Sequence, residues 1–184
     1  MLELITGSMF AGKTTLFIKR INELREAGKN VVVLKPIQDF RYSKNDVVSH
    51  DGLRVKGLAV DEVFEIREIV EEQRCDVIAM DEIQFFGWDF VEIVNELADR
   101  GVHVLLAGLD MDFTGRPFGI MPELLAYADV LVKLHAKCHV CDGIATRNQR
   151  LVNGKPAKLH DPIFVSGDHI TYEPRCRFHH EVED

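Results

Sequence analysis

A glycine-rich octapeptide near the start of the chain has the residue types and spacing of a phosphate-binding loop. Its residues match G-x-x-x-x-G-K-[ST]. They are Gly7, Ser8, Met9, Phe10, Ala11, Gly12, Lys13 and Thr14. In such a loop the backbone N–H groups point at phosphate oxygens, the lysine reaches the β- and γ-phosphates, and the hydroxyl serves Mg²⁺. The octapeptide follows an apolar run and precedes a helical stripe, which favours this interpretation over a chance glycine-rich turn.

A pair of acids, Asp81 and Glu82, follows the apolar run at residues 77–80. A carboxylate at the end of a buried strand is typical of the Walker B arrangement, so we expect Asp81 to hold the Mg²⁺ shell. The alternative is an aspartate that caps a helix. Glu82 is a candidate general base, because a carboxylate beside the metal can take a proton from a nucleophile. That nucleophile is either water, giving an ATPase, or a substrate hydroxyl, giving a kinase, and the residue alone does not decide.

Thiol and imidazole side chains near the end of the chain form two pairs with metal-ligand spacing. They are Cys138, Cys141, Cys176 and His179, with 34 residues between the C-x₂-C and C-x₂-H pairs. Such a set favours a closed, structural zinc site. His180 is the alternative fourth ligand, and Cys75 is predicted to be an inert thiol.

Apolar runs alternate with helical stripes along the first three quarters of the chain. Strands are predicted at 2–6, 31–34, 77–80, 102–107 and 130–134, with a loop and one short strand within 38–58. Helices are predicted around Phe17, from Asp61, around Phe90 and at 119–128. This order predicts an α/β fold of the P-loop NTPase (RecA-like) class, in which a mostly parallel sheet carries helices on both faces.

Composition and charge bound the class of protein. The chain has 184 residues, of which 46% are hydrophobic and 28% charged, as in ordinary globular proteins. Its net charge of −8 argues against a general nucleic-acid binder. No apolar run approaches the roughly 18 residues of a membrane span, and the first residues lack a secretory pattern. We therefore expect a cytoplasmic protein with neither a membrane nor a nucleic-acid partner.

The charge balance changes near residue 135. Residues 1–132 hold 14 basic and 23 acidic side chains, whereas residues 133–184 hold 8 and 7 together with three of the four cysteines. The change predicts two domains, a P-loop ATP-binding domain at 1–135 and a small zinc-binding (zinc-ribbon) module at 136–184.

Several short strings, taken together, resemble the type II thymidine kinase family. They are residues 81–86 (DEIQFF), 108–110 (GLD), Phe113 with 116–118 (RPF), Tyr172 followed by Cys176 and Arg177, and residues 39–42 (DFRY). The similarity extends from about residue 3 to residue 180, in one order. His179 departs from the family pattern, where a fourth cysteine is common.

The resemblance implies transfer of the ATP γ-phosphoryl group to the 5′-hydroxyl of thymidine, with deoxyuridine also accepted, in pyrimidine salvage. It implies that Glu82 is the base. The ATP and Mg²⁺ site would comprise residues 7–14, Asp39, Arg41, Asp81 and Gln84. The walls of the thymine pocket would be Met9, Phe85, Leu109, Phe113 and Phe118. A lasso loop over the base would include Ile163, Val165, Gly167 and Tyr172, and zinc would hold both ends of this loop. Spacing alone favours a core role for the phenylalanines, and the resemblance reverses this for Phe85 and Phe113.

The resemblance further implies a homotetramer that dTTP inhibits by feedback.

Two other functions remain open at this point. One is a DNA-stimulated P-loop ATPase with a zinc ribbon, which the acidic charge disfavours. The other is a non-catalytic nucleotide sensor, which the intact Lys13, Thr14, Asp81 and Glu82 disfavour.

Overall fold

The structure is a computed structural model, and it describes residues 1–36, 46–48, 52–163, 165 and 167–184. The predicted site residues Asp39 and Arg41 lie outside the described residues.

Four α-helices, one short 3₁₀ helix at Ile83–Phe85 and thirteen strands make up the described part of the chain. The helices are α1 (Lys13–Glu26), α2 (Glu65–Gln73), α3 (Asp89–Asp99) and α4 (Met121–Tyr127). The first eight strands are β1 (Leu2–Gly7), β2 (Val31–Pro36), β3 (Asp46–Val48), β4 (Arg54–Lys56), β5 (Leu58–Val60), β6 (Val77–Met80), β7 (His103–Gly108) and β8 (Val130–Leu134). The last five are β9 (Ala136–Lys137), β10 (Ile144–Ala145), β11 (Arg147–Val152), β12 (Lys155–Pro156) and β13 (Ile170–Arg175).

Six strands form the main sheet, in the order β5-β2-β6-β7-β1-β8, and all of their pairings are parallel. The side chains of β1, β2 and β6 are buried at every position, which explains why these strands read as continuous apolar runs. Antiparallel pairings join β9 to β10, β3 to β4, and β11 to both β12 and β13. The division into two domains near residue 135 stays a prediction.

Helices cover both faces of the main sheet, as predicted. On one face α1 packs Phe17, Ile18 and Ile21 against apolar side chains of β1, β2, β6 and β7. On the other face α2, α3 and α4 pack around Phe90 and Leu97, which are fully buried. The α/β fold class expected from the sequence is therefore confirmed.

Some elements differ from the sequence prediction, and within 38–58 the described structure has two short strands, β3 and β4, where one was expected. Helix α2 begins at Glu65 and not near Asp61, whose backbone N–H instead donates to the Glu65 carboxylate at 3.3 Å. Acidic side chains at Glu65 and Glu68 lie in the first turn of α2, where the helix dipole favours negative charge. Strand β5 is an edge strand of the main sheet that the sequence did not predict, because its apolar stretch, Leu58–Val60, is only three residues long.

The sheet order brings three loops to one edge. Strands β6, β7 and β1 are neighbours, and the carboxyl ends of parallel strands lie at the same edge of a sheet. The acid pair follows β6, Leu109 follows β7, and the glycine-rich loop follows β1. Ligands of open α/β sheets bind in this crevice.

Within the described ranges, none of the helices combines the length and the hydropathy that a bilayer crossing requires.

A buried acid joins β1, β7 and α1 at the opposite edge of the sheet. The carboxylate of Glu3 lies 3.0 Å from Nε2 of His103 and 3.1 Å from Nε of Arg20. The hydrogen bond with His103 lowers the pKa of Glu3; burial opposes this, and the charge of Arg20 adds to the lowering. Glu3 therefore stabilises the fold in its charged form.

We expect Glu3→Gln to lower the free energy of unfolding at neutral pH by about 1–3 kcal/mol, because charge-assisted hydrogen bonds are lost. The folded-state pKa of Glu3 lies below its ordinary value of 4.5. The contribution is therefore complete above that value and is lost as the pH falls from 4.5 through the folded-state pKa. Urea unfolding of both proteins at neutral pH and well below pH 4.5 tests this. A difference that does not shrink on acidification would contradict it.

Candidate active site and metal centre

The glycine-rich loop connects β1 to α1 and has a positive φ, a backbone region that favours glycine, at two of its glycines. Gly7 has φ +136°, and a Cβ there would lie 2.1 Å from the carbonyl oxygen of Leu134 on β8. Gly12 has φ +84°, in the left-handed region, directly before α1 begins at Lys13. Nζ of Lys13 donates to the carbonyl oxygen of Ser8 at 2.8 Å, so the lysine folds back across the loop. The loop and the N-terminus of α1 together can hold the phosphates of a nucleotide.

A hydroxyl and a carboxylate meet beside this loop. Oγ1 of Thr14 donates to Oδ2 of Asp81 at 3.2 Å, and Asp81 is buried. Burial first, and then the neighbouring charge of Glu82, raise the pKa of Asp81 to about 7. A divalent cation at these oxygens would offset both effects, and hydroxyl and carboxylate oxygens are ligands that Mg²⁺ prefers. The residues present therefore fit a magnesium ion.

Glu82 stands in a strained turn between β6 and the 3₁₀ helix. Its φ of +56° is left-handed, a conformation that costs an ordinary residue about 1–2 kcal/mol. Nε2 of Gln84 donates to Oε2 of Glu82. Oε1 of Gln84 accepts from the backbone N–H of Leu109 at 3.0 Å. The Gln84 amide, which the resemblance assigned to the ATP and Mg²⁺ site, is thus hydrogen-bonded to Glu82 and to the start of the β7 loop.

The close approach of Gln84 explains a glycine at the end of β7. A Cβ on Gly108 would lie 2.8 Å from Oε1 of Gln84 and 2.7 Å from Cγ1 of Ile83. Both distances are too short for a real side chain. Gly108 therefore leaves the space in which Gln84 reaches Leu109.

Aromatic side chains gather after β6 and β7. The rings of Phe85 and Phe118 pack edge to face with centroids 6.1 Å apart. Leu109 and Phe113, on the loop that follows β7, are also buried. Phe86 differs from these residues, because its ring stacks on Phe90 at 4.4 Å inside the main core. Phe85 therefore contacts another predicted pocket residue, while Phe86 is a core residue.

The predicted lasso residues are more exposed. Ile163 and Val165 are each 37% exposed. Gly167 has φ +156°, and a Cβ there would lie 2.8 Å from the ring of His169. Tyr172 lies on β13, directly opposite Arg150 of β11.

Two buried residues of β11 contact the predicted site, and the sequence analysis missed both. Oδ1 of Asn148 accepts from the backbone N–H of Met9 at 2.7 Å, and its Nδ2 donates to the carbonyl oxygen of Met111 at 2.7 Å. Arg150 places its guanidinium over the ring of Phe113, 3.3 Å from the ring centre. Hydrophobic periodicity could not reveal them, since both are polar; the polar run at 146–150 between the two ligand pairs is the one signal in the sequence.

The four predicted metal ligands come together. The ligand atoms of Cys138, Cys141, Cys176 and His179 all lie within 4.8 Å of one another. The Sγ atoms of Cys141 and Cys176 are 3.9 Å apart. Zn–S bonds of about 2.3 Å place tetrahedral sulfur ligands roughly 3.8 Å apart, so the spacing fits an ion of this size.

His180, the alternative fourth ligand, is hydrogen-bonded outside the metal cluster. Nε2 of His180 donates to the carbonyl oxygen of Phe113 at 2.8 Å, while Nδ1 of His179 lies 3.3 Å from Sγ of Cys176. This geometry favours His179 as the fourth ligand.

Burial raises the pKa of the Cys138 thiol, but backbone N–H groups, first that of Cys176, outweigh it and lower the value to about 6. The thiolate form of Cys138, which metal binding requires, is therefore favoured at neutral pH.

We expect the purified protein to carry one zinc ion per chain and to lose it in Cys176→Ser. The variant should also melt at a lower temperature, because the ligands clamp two distant segments. Metal content by elemental analysis and the Tm with and without chelator test this. Cys75→Ala is the matched control, since Cys75 is a buried thiol outside the cluster. Equal metal content in both variants would contradict the assignment.

Replication initiators are among the solved structures that match this chain. One is described as a DNA replication initiation factor (19% identity, TM-score 0.42), covering 72% of this chain and 39% of its own. Another is domain III of the Thermotoga maritima replication initiation protein DnaA (16% identity, TM-score 0.43), covering 72% and 54%. A third is AMPPCP-bound DnaA from Aquifex aeolicus (18% identity, TM-score 0.42), covering 72% and 40%. The chain thus spans about two fifths to one half of these structures, and the likeness carries no functional argument.

The family comparison is far more extensive. Residues 1–180 match the family model described as thymidine kinase. This match includes the glycine-rich loop, the acid pair, the aromatic residues and the metal cluster described above. The chain belongs to the thymidine kinase family.

Proposed function

We propose that this protein is an ATP-dependent thymidine kinase, which transfers the γ-phosphoryl group of ATP to the 5′-hydroxyl of thymidine. The observation that carries the proposal is the meeting of three features at one edge of the sheet. These are the phosphate loop after β1, the acid pair after β6 and the aromatic side chains after β6 and β7. A nucleotide site beside an aromatic pocket suits phosphoryl transfer to a nucleoside.

ATP binds through the loop at residues 7–14, and Lys13 neutralises the β- and γ-phosphates. Thr14 and Asp81 hold Mg²⁺, which supplies charge neutralisation of the phosphates when bound. Asp39 and Arg41 belong to this part of the proposal on the resemblance alone.

Glu82 is the general base of the proposed reaction. The 5′-oxygen forms a bond to the γ-phosphorus while the bond from that phosphorus to the bridging oxygen of ADP breaks. The hydroxyl proton moves to the Glu82 carboxylate. Gln84 orients this carboxylate through the hydrogen bond to Oε2, and its own amide is held by Leu109.

The nucleoside pocket lies between the phosphate loop and the lasso. Flat aromatic walls at Phe85, Phe113 and Phe118 suit a pyrimidine ring. Closure of the lasso over the base would keep water from the γ-phosphate, so that transfer outcompetes hydrolysis. The metal cluster, which we propose holds zinc, anchors the segments on either side of the lasso.

Several finer features rest on family membership alone. They are activity toward deoxyuridine, feedback inhibition by dTTP, assembly as a homotetramer and a cytoplasmic location. We include them in the proposal on that basis.

The direct test is incubation of the purified protein with Mg-ATP and a panel of nucleosides. We expect thymidine 5′-phosphate first, deoxyuridine 5′-phosphate next, and no purine product. ATP hydrolysis that rises with added DNA, without any phosphorylated nucleoside, would overturn the proposal in favour of a DNA-stimulated ATPase.

Glu82→Gln should lower kcat for thymidine by about 100-fold or more, because the amide cannot accept the proton. ATP affinity should change little, since the phosphate contacts lie on other residues. Steady-state kinetics and binding of a fluorescent ATP analogue separate the two quantities. A variant with full turnover would show that Glu82 is not the base.

Gln84→Leu distinguishes two roles for this glutamine. If Gln84 orients Glu82, kcat should fall about 10-fold, since a hydrogen bond to a charged group is lost, and KM for ATP should stay nearly constant. An increase in KM for ATP with unchanged kcat would instead place Gln84 in the ATP site. Gln73→Leu, an exposed glutamine at the end of α2, serves as the control and should change neither parameter.

A further inference from the structure

Arg150 on β11 is one of the largest fully buried side chains of the described structure, with 1% of its surface exposed. Its carbonyl oxygen accepts from the backbone N–H of Ala157, so the backbone is held in the small antiparallel sheet. The side chain leaves the sheet and contacts segments far away in sequence. An arginine is rarely buried this completely unless its donors have dedicated partners.

The guanidinium contacts both the wall and the lid of the proposed nucleoside pocket. Its central carbon lies 3.3 Å from the ring centre of Phe113, the geometry of a cation–π contact. Nη1 donates to the carbonyl oxygens of Pro162 at 2.7 Å and Ile163 at 3.3 Å, at the start of the lasso. One planar group therefore joins a pocket wall to the first residues of the lid.

A third pocket residue lies on the same face of the small sheet. Arg150 and Tyr172 are directly opposite in the β11–β13 ladder. Side chains of such a pair project from the same face, with Cβ atoms about 4.5–5.5 Å apart. Phe113, Ile163 and Tyr172 were each assigned to the nucleoside pocket, and Arg150 is placed among all three.

Stability alone does not account for an arginine here. Among the described residues, the Nη2 atom of Arg150 has no hydrogen-bond partner although it is shielded from solvent. A buried donor without an acceptor destabilises the fold. An apolar side chain of similar length would fill the space without this cost, and water can serve the carbonyl oxygens of Pro162 and Ile163, because both residues are exposed.

We propose that Arg150 is a positioning residue for the pyrimidine nucleoside pocket, because it fixes the Phe113 wall and the start of the lasso in one geometry. The inference rests on the proposed function and assigns this part of the pocket to a residue outside the family strings quoted above. A lysine cannot replace it, since an ammonium has no plane to stack on Phe113 while it donates sideways to backbone carbonyls. Nucleoside binding should depend on Arg150, while ATP binding should not.

Arg150→Met and Arg150→Lys test this in the full-length protein. We expect KM for thymidine to rise about 10-fold in both, equivalent to roughly 1.4 kcal/mol, with KM for ATP nearly unchanged. The Tm of Arg150→Met should equal or exceed that of the wild type. This combination, weaker nucleoside binding in an equally stable protein, is what a merely structural arginine would not produce.

Arg147→Met is the matched control. Arg147 lies on the same strand and is also buried, but its guanidinium donates to Sδ of Met111 and to the carbonyl oxygen of Thr146, and it has no hydrogen bond to the described residues of the lasso. Its KM for thymidine should change less than about 3-fold. An equal rise in the control would overturn the proposal, because the lasso contact would then not be the cause.

The remaining outcomes are also decisive. Unchanged KM for thymidine in both Arg150 variants would overturn the proposal, as would a loss of folded protein in both, since the residue would then serve stability. A parallel rise in KM for ATP would overturn it as well. Failure of the proposed function is distinguishable, because the wild type itself would then phosphorylate no nucleoside.

Discussion

Two adjacent carboxylates at the end of one buried strand constrain the whole site. Asp81 is buried beside the hydroxyl of Thr14, and the charge of Glu82 lies next to it. Like charges repel each other strongly in a medium of low dielectric constant, and burial together with the charge of Glu82 raises the pKa of Asp81. The backbone at Glu82 is left-handed, and Nε2 of Gln84 donates to the Glu82 carboxylate. Gly108 has no side chain, and this leaves the space that the Gln84 side chain occupies.

The second organising feature is a strand whose buried side chains are polar. Arg147, Asn148, Gln149 and Arg150 of β11 are all buried. They face irregular segments, whose backbone N–H and C=O groups lack sheet or helix partners and need hydrogen bonds once buried. Asn148 supplies them to the phosphate loop and the β7 loop, and Gln149 supplies them to Glu181 near the end of the chain. An apolar strand could pack against these loops but could not satisfy their backbones.

Local patterns allowed most of the main sheet and the centre of the site to be predicted from the sequence. The phosphate loop, the acid pair and the metal ligands are each defined by residue types at short spacing, and β1, β2 and β6 are apolar because both faces are covered. Strand β5 was not predicted because its apolar stretch is only three residues long. Helix α2 begins at Glu65, four residues after the predicted start at Asp61, because its acidic first turn and not the Asp61 side chain marks its start. Asn148 and Arg150 were not predicted as site residues because their roles depend on tertiary contacts. Hydrophobic periodicity carries no information about buried polar residues.

The β11–β13 ladder connects the metal-ligand cluster to the start of the proposed lasso. Six residue pairs run from Arg147 opposite Arg175, beside the metal cluster, to Val152 opposite Ile170, beside the lasso. At about 3.4 Å per residue the ladder separates its two ends by roughly 17 Å. A metal ion bound at this cluster would fix the frame at one end of the ladder and would not set the position of the proposed lasso at the other. A contact near the lasso end is needed for that purpose, and the guanidinium of Arg150 supplies it by reaching Phe113 and the carbonyl oxygens of residues 162 and 163 together. A bound metal ion and the arginine would thus restrain different ends of the ladder, so loss of either should affect the protein in a different way.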